Sequence, residues 1–218
     1  MAAQPAALLG LEKTSLRQQA VAALRSAITS GALAPSSPLV ETELSEMLQI
    51  SRGTLREAMR QLQQEGLISA GARGRLYVRH LDAKEIRDIF AVRAALEALA
   101  VRELAELPDR STVVPALRAA LDIMARAEHD LDARIEADLN FHRILCRLTG
   151  NETLMHSWQS LEGSIRMSIM FAGLEKAVGN MDVGRHSAIV DAIETGDSDE
   201  AAAAVRSHMK WAAANLVS

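Results

Sequence analysis

Only two stretches of this 218-residue chain read as β-strands, and they are neighbours: LISA (67–70) and RLYV (75–78), joined by the glycine-bearing turn GARG (71–74). A hairpin of four-residue strands cannot build a core of its own. Everything else must therefore be packed from helices. The composition agrees: aromatics make up 3% and hydrophobic residues, chiefly Ala and Leu, 49%, which favours helix on helix.

Three helices are expected before the hairpin. Thr14 or Ser15 can cap the first, whose inward residues are Leu16, Ala20, Val21, Leu24 and Ile28 and whose end is marked by Gly31. After the proline-punctuated loop ALAPSSPLV (32–40), ETELSEMLQI (41–50) forms a short second helix. Ser51 caps a third, RGTLREAMRQLQQEG (52–66). Three helices followed by a hairpin describe a winged helix-turn-helix. The polar segment RHLDAKE (79–85) marks the domain boundary. The expected organisation is a flexible tail over 1–13, the winged unit over 14–79, a linker over 80–84 and an all-α bundle of six or seven helices over 85–218. The fold class is mostly α. Candidate bundle helices cover 82–107, 111–128, 131–149, 152–175, 181–195 and 198–216, with Gly150–Asn151 and Gly196–Asp197 as the clearest breaks.

The net charge of −4 conceals an asymmetry, because residues 1–80 carry +3 and residues 81–218 carry −7. Only the first piece suits a polyanion. Its third helix suggests how. At 100° per residue, Arg52, Arg56, Arg60 and Gln63 fall within an arc of about 80°, beside an apolar arc of Leu55, Ala58, Met59 and Leu62. One edge packs and the other presents arginines, whose planar fork can bind guanine edges or phosphates. Arg73 and Arg75, in the hairpin turn, extend the same surface. The helix taken alone also suits a solvated face whose arginines pair with Glu57 and its neighbours. The two helices before it and the hairpin after it weigh against that alternative.

The bundle raises a different question. In ADLNFHRIL (137–145), Asp138 and His142 lie four residues apart, on the face shared by Ile135, Leu139, Leu145 and Cys146. A buried carboxylate must be paired, protonated or bound to a metal. His186 lies on the face of Ile189, Val190 and Ile193, and His208 on that of Val205, Met209 and Ala212. His80, His129 and His156 have no such placement. A lone inward histidine is ordinarily a hydrogen-bonded core residue. Three of them with an aspartate suit a first-row divalent ion of the Zn, Ni or Mn class, held by Asp138, His142, His186 and His208. Arg93 sits inward with Ile86, Ile89, Phe90 and Leu96. It either pairs with Glu97, four residues on, or waits for a carboxylate ligand that also touches the metal.

SRGTLREAMRQLQQEGLI (51–68) resembles the recognition segment of GntR-type transcriptional regulators, and ITSGALAPSSPLVETELSEML (28–48) resembles the stretch before it. Two positions depart from the family pattern: Ser36 stands where glycine is usual, and Thr54 where proline is common. RAALE (93–97), DLNFH (138–142), GN (150–151), RH (185–186) and His208 resemble the FadR C-terminal (FCD) effector domain. In its metal-binding branch an Asp-x-x-x-His and two later histidines hold the ion, and all four positions are present here. The usual acid before the third ligand is Arg185 instead.

The resemblance implies a ligand-responsive transcriptional repressor. Arg52, Thr54, Arg56, Arg60, Arg73 and Arg75 would face operator DNA, and Arg93 would take a small organic acid effector. A homodimer would match two reading heads to a palindromic operator. The alternative is a metal-dependent hydrolase with an accessory DNA-binding domain, for which His129–Asp130 is the one suggestive dipeptide. That pair falls off the inward stripe, no general base accompanies the site, and the phosphate-loop, dinucleotide and nucleophile-elbow motifs are absent. An enzyme is not expected. The single Cys146 can form no internal disulfide, the first fifteen residues do not read as a signal peptide, and no stretch approaches a membrane span, so a reducing cytoplasm is the expected compartment.

Overall fold

A computed structural model describes residues 15–127, 131–172 and 174–218. The expected tail over 1–13 and the dipeptide His129–Asp130 lie outside the described residues.

Helix α1 (Leu16–Thr29) starts from a capping box: Ser15 Oγ accepts from the Gln18 amide, and the Gln18 side chain accepts from the Ser15 amide. Helix α2 (Glu41–Met47) follows the proline loop, and α3 (Arg52–Gln64) is capped by Ser51 Oγ. Past α3, Gly66 takes φ +74°, and the Leu67 amide donates back to Leu62 O at 2.9 Å. That left-handed residue turns the chain into strands β1 (Ile68–Ala70) and β2 (Leu76–Val78), paired antiparallel with Ile68 opposite Val78. The loop before α2 joins the same wing: Leu39 N donates to Leu76 O and Val78 N donates to Ser37 O. Just before that pairing Ser36 adopts φ +64°. This explains why glycine is usual there, since a side chain in the left-handed region costs about 1–2 kcal/mol.

The second domain comprises α4 (Ala83–Ala105), α5 (Val113–Arg126), α6 (Leu131–Leu148), α7 (Glu152–Phe171), α8 (Leu174–Asn180), α9 (Val183–Thr195) and α10 (Ser198–Val217). Helix α4 lies along α10 and packs on α6, α7 and α9; α5 closes over α6 and α9. Ala100, Val101, Leu104, Ile135, Leu139, Phe141, Trp158, Ile189, Val190 and Val205 fill the centre. The sequence suggests one helix over 152–175; instead α7 ends at Phe171 and a separate α8 begins at Leu174. Gly173, a poor helix former, lies in the sequence between them, and a distant residue holds the second piece. Asn215 of α10 donates to Lys176 O and to Asn180 Oδ1, both at 2.8 Å, and so pins α8 across α10.

The two domains meet where the end of the third helix rests on α7. A Cβ on Gly163 would lie 1.6 Å from the Glu65 carbonyl oxygen, so only glycine permits this approach. Beside it Arg79 Nη1 donates to Ser164 Oγ at 2.8 Å. Gly163→Ala must push the reading head off α7. Overpacking of this kind costs about 1–3 kcal/mol, and each kcal/mol moves the melting temperature of a chain this size by about 2–4 °C. Calorimetry should show a lowered or split transition, and an unchanged single transition would contradict the close contact.

Candidate DNA-reading face and metal centre

Leu55, Ala58, Met59 and Leu62 anchor α3 in the core of the first domain, all buried. That places Arg52, Arg56 and Arg60 on the solvent side, together with Arg73 and Arg75 of the wing turn. Thr54 is half-buried, its hydroxyl 2.9 Å from Ser51 Oγ. Arg73 takes φ +62°, which turns the chain at the wing tip. Arg56 Nε donates to Glu41 Oε2 at 2.8 Å and Arg60 Nη1 to Glu57 Oε1 at 2.6 Å. Arg52, Arg73 and Arg75 make no side-chain hydrogen bond or ion pair among the described residues. The five arginines are therefore exposed and Thr54 half-buried, with two of the arginines engaged by carboxylates.

Inside the bundle, α6, α9 and α10 bring His142, His186 and His208 together, with one ring nitrogen from each within 4.8 Å of the others. His142 Nε2 faces His186 Nε2 at 3.1 Å, and Asp138 Oδ1 lies 3.0 Å from the same His186 nitrogen. Asp138, His142, His186 and His208 are all buried. His80 and His156 are exposed, and His129 lies outside the described residues.

The outer nitrogens decide the tautomers. His186 Nδ1 is 2.7 Å from the Asp182 carbonyl, which can only accept, so Nδ1 carries the proton. His142 Nδ1 is 2.6 Å from Glu97 Oε2 and donates to it in the same way. Burial, and after it the nearby Arg93 charge, holds the basicity of His142 well below the usual value. His208 is likewise held well below it, by burial first and then by the other imidazoles. Burial pushes the Asp138 carboxyl upward, but the His186 hydrogen bond and nearby charges outweigh that, and the net shift is downward. His142 and His208 are thus held neutral and Asp138 ionised, which is the ligating state of each of these groups.

Sequence reasoning missed Glu97 as the hub of this site. Its two oxygens accept from Arg93 Nε at 2.8 Å, Trp158 Nε1 at 2.8 Å and His142 Nδ1. The available signal was its place four residues after Arg93 on the inward face of α4. The Arg93–Glu97 pair weighed as the plain alternative for Arg93 is present, yet Arg93 Nη2 remains buried without a partner. Arg185, the residue that departs from the family pattern, donates to Gly179 O and stacks its guanidinium 3.3 Å over the Trp211 ring.

Comparison with known proteins settles the family. The profile described as "Bacterial regulatory proteins, gntR family" matches residues 16–78, and that of the FCD domain matches residues 88–210, more than half of the chain. The chain belongs to the GntR family. This GntR-family protein is accordingly a DNA-binding transcriptional regulator and not an enzyme. It is 30% identical over 188 residues to an HTH-type transcriptional regulator from an unstable DNA locus of Streptomyces ambofaciens, covering 86% of this chain and 79% of that one. It is 31% identical over 190 residues to the HTH-type transcriptional repressor NanR of Enterobacter sp. (strain 638), covering 78% and 72%. The fold of E. coli McbR/YncC matches with a TM-score of 0.72 at 19% identity, over 94% of this chain and 98% of that one. Among the described residues, no helix of this regulator is long and apolar enough to cross a membrane.

Proposed function

We propose that this regulator is a cytoplasmic, homodimeric repressor that holds a divalent metal through Asp138, His142, His186 and His208 and answers to a small carboxylate. The residues fit the ion. With both Nδ1 atoms committed as donors, the Nε2 atoms of His142 and His186 face each other across 3.1 Å, with an Asp138 oxygen 3.0 Å from that of His186. These three ligand atoms need a positive charge among them, and a divalent ion can supply it in place of the proton that His186 Nε2 otherwise donates to Asp138. A zinc-class ion binds imidazole nitrogen at about 2.0–2.1 Å, so ligands at right angles on one ion stand about 3 Å apart. His208 Nδ1, buried and unpartnered, adds a further donor atom awaiting a partner. The observation that carries the reading is this facing pair of ring nitrogens with the Asp138 oxygen beside them.

Arg93 supports the second half of the proposal. Its Nε is held by Glu97, and its unpartnered Nη2 would be satisfied by an incoming carboxylate. The proposed division of labour is a reading head over 14–79, a linker over 80–84 and a sensing domain over 85–218. The test is calorimetric titration of small di- and hydroxycarboxylates into metal-loaded and chelated protein, followed by titration of an operator duplex at several salt concentrations. An acid of the right class should bind the loaded form only and shift operator affinity at least about fivefold. Equal binding to both forms would sink the coupling of effector to metal.

The proposed dimer rests on the outer face of α4. Val92 and Leu99 are 50% and 44% exposed there, beside the exposed Ala91 and Ala95. A second copy is the occupant because a helix-turn-helix head reads only a half-site. Val92→Glu with Leu99→Glu should sediment as a monomer and bind operator much more weakly, since avidity between the half-sites is lost. A wild-type chain that sediments as a monomer would contradict the arrangement.

A further inference from the structure

We propose that the contact of Glu65 and Gly66 with Gly163 and Ser164 is a ruler: it fixes the heading of α3 against the bundle and so sets the half-site separation that the dimer accepts. The ruler presupposes the homodimer proposed above. Glu65 is held from two sides. Its carboxylate accepts from Arg25 of α1, whose Nη2 lies 2.8 Å from both oxygens, while its carbonyl lies against Gly163 of α7. Arg79 is divided in the same way. Its amide donates to Leu67 O at 3.0 Å, which makes it part of the wing. Its Nη1 donates to Ser164 Oγ at 2.8 Å, which ties it to the bundle. Gly66 closes the seat, because a Cβ there would come within 2.6 Å of Ser164 Oγ.

The seat is rigid on the bundle side. Earlier on α7, Trp158 is fully buried and donates to Glu97 of α4. Helix α4 packs on α7 and carries Val92 and Leu99 of the proposed dimer face. One path of packed helices therefore runs from that face through α7 to the end of α3. The linker alone would not fix the head. Only His80, Leu81 and Asp82 stand between Arg79 and α4, and three extended residues span about 10 Å. One base pair shifts a half-site by only about 3.4 Å. Of the three residues Leu81 alone is buried, and apolar burial has no direction with which to resist a tilt. Beside the seat lies a cavity of about 370 Å³, lined by Arg25 and Glu65 of the head and by Glu136, Glu162 and Arg166 of the bundle. A head freed from α7 has room to move.

A helix-turn-helix dimer reads two half-sites about one helical turn apart, or a multiple of it. One added base pair also rotates the second half-site by about a tenth of a turn. A rigid dimer engages such a site with one head only and forfeits the avidity of the pair. A dimer with loose heads follows the site and keeps it. Loss of the seat should therefore broaden the accepted separation while leaving the affinity of one head for one half-site unchanged. A residue that merely steadied the fold would lower both.

The probes are a duplex selected by the wild-type protein from a random pool, versions with one or two base pairs added or removed between its half-sites, and a duplex holding one half-site. The wild type should lose about tenfold or more in affinity at each changed separation. G163A and S164A should lose about threefold or less on the same duplexes, and should bind the single half-site as the wild type does. R79A combined with S164A should show the same separation profile as S164A, since the two side chains form one contact. A wild type that sediments as a monomer would remove the dimer and the ruler together. A dimeric wild type indifferent to separation, or G163A and S164A that discriminate as sharply as it does, would overturn the ruler alone. Half-site affinity that falls in both variants as far as affinity for the selected duplex would mark a damaged head and overturn it equally.

Discussion

The His186→Ala protein, purified beside the wild type, will carry less than about a tenth of the divalent ion the wild type holds per chain. His186 is the hinge of the cluster: its Nε2 lies within hydrogen-bonding distance of both His142 Nε2 and Asp138 Oδ1. It also comes from α9, so no neighbour on α6 can replace it. Elemental analysis reads the outcome directly. Chelation of the wild type should lower its melting temperature, because an ion that binds only the folded chain stabilises it by about 2.7 kcal/mol when present at a hundred times its dissociation constant. Chelation should leave His186→Ala nearly unmoved. Ion content equal to the wild type in Asp138→Ala, His186→Ala and His208→Ala alike would return these side chains to an ordinary role as hydrogen-bonded groups in a helical core.

Glu97→Ala should be the most destabilising single change in the second domain. The carboxylate is fully buried and accepts from Arg93, His142 and Trp158 together. Removing it strands the Arg93 guanidinium, itself only 2% exposed. Breaking a buried pair from one side costs about 3–5 kcal/mol, which for this length is a drop in melting temperature of roughly 10 °C or more. Glu97→Gln separates the two tasks of the residue. Its amide oxygen must face the donors Arg93 and Trp158, so its NH2 faces His142 Nδ1 and forces that nitrogen to accept. The proton then moves to Nε2, the ligating atom. Glu97→Gln should therefore stay folded but bind the ion about 10–100-fold more weakly. Wild-type ion affinity in Glu97→Gln, followed by competition with a chelator, would show that Glu97 does not set the His142 tautomer.

Much of this molecule was legible locally. The caps at Ser15 and Ser51, the turn at GARG, the buried arc of Leu55, Ala58, Met59 and Leu62, and the inward aspect of Asp138, His142, His186 and His208 all follow from rules that operate within one or two helical turns. So does the division between a basic reading head and an acidic bundle. Where a residue's place depends on partners far along the chain, the same rules are silent. Asn215 of α10 holds α8 in place, and although Gly173 offers a break in the sequence, nothing beside it announces that partner. Glu97 meets His142 across 45 residues and Trp158 across 61. Gly163 reads as an indifferent helical glycine until the Glu65 carbonyl is set against it. Hydrophobic periodicity says which way a side chain faces, because that is settled by the helix it belongs to. What it meets there is settled by how helices pack, and in this chain that packing turned three inward histidines into one centre.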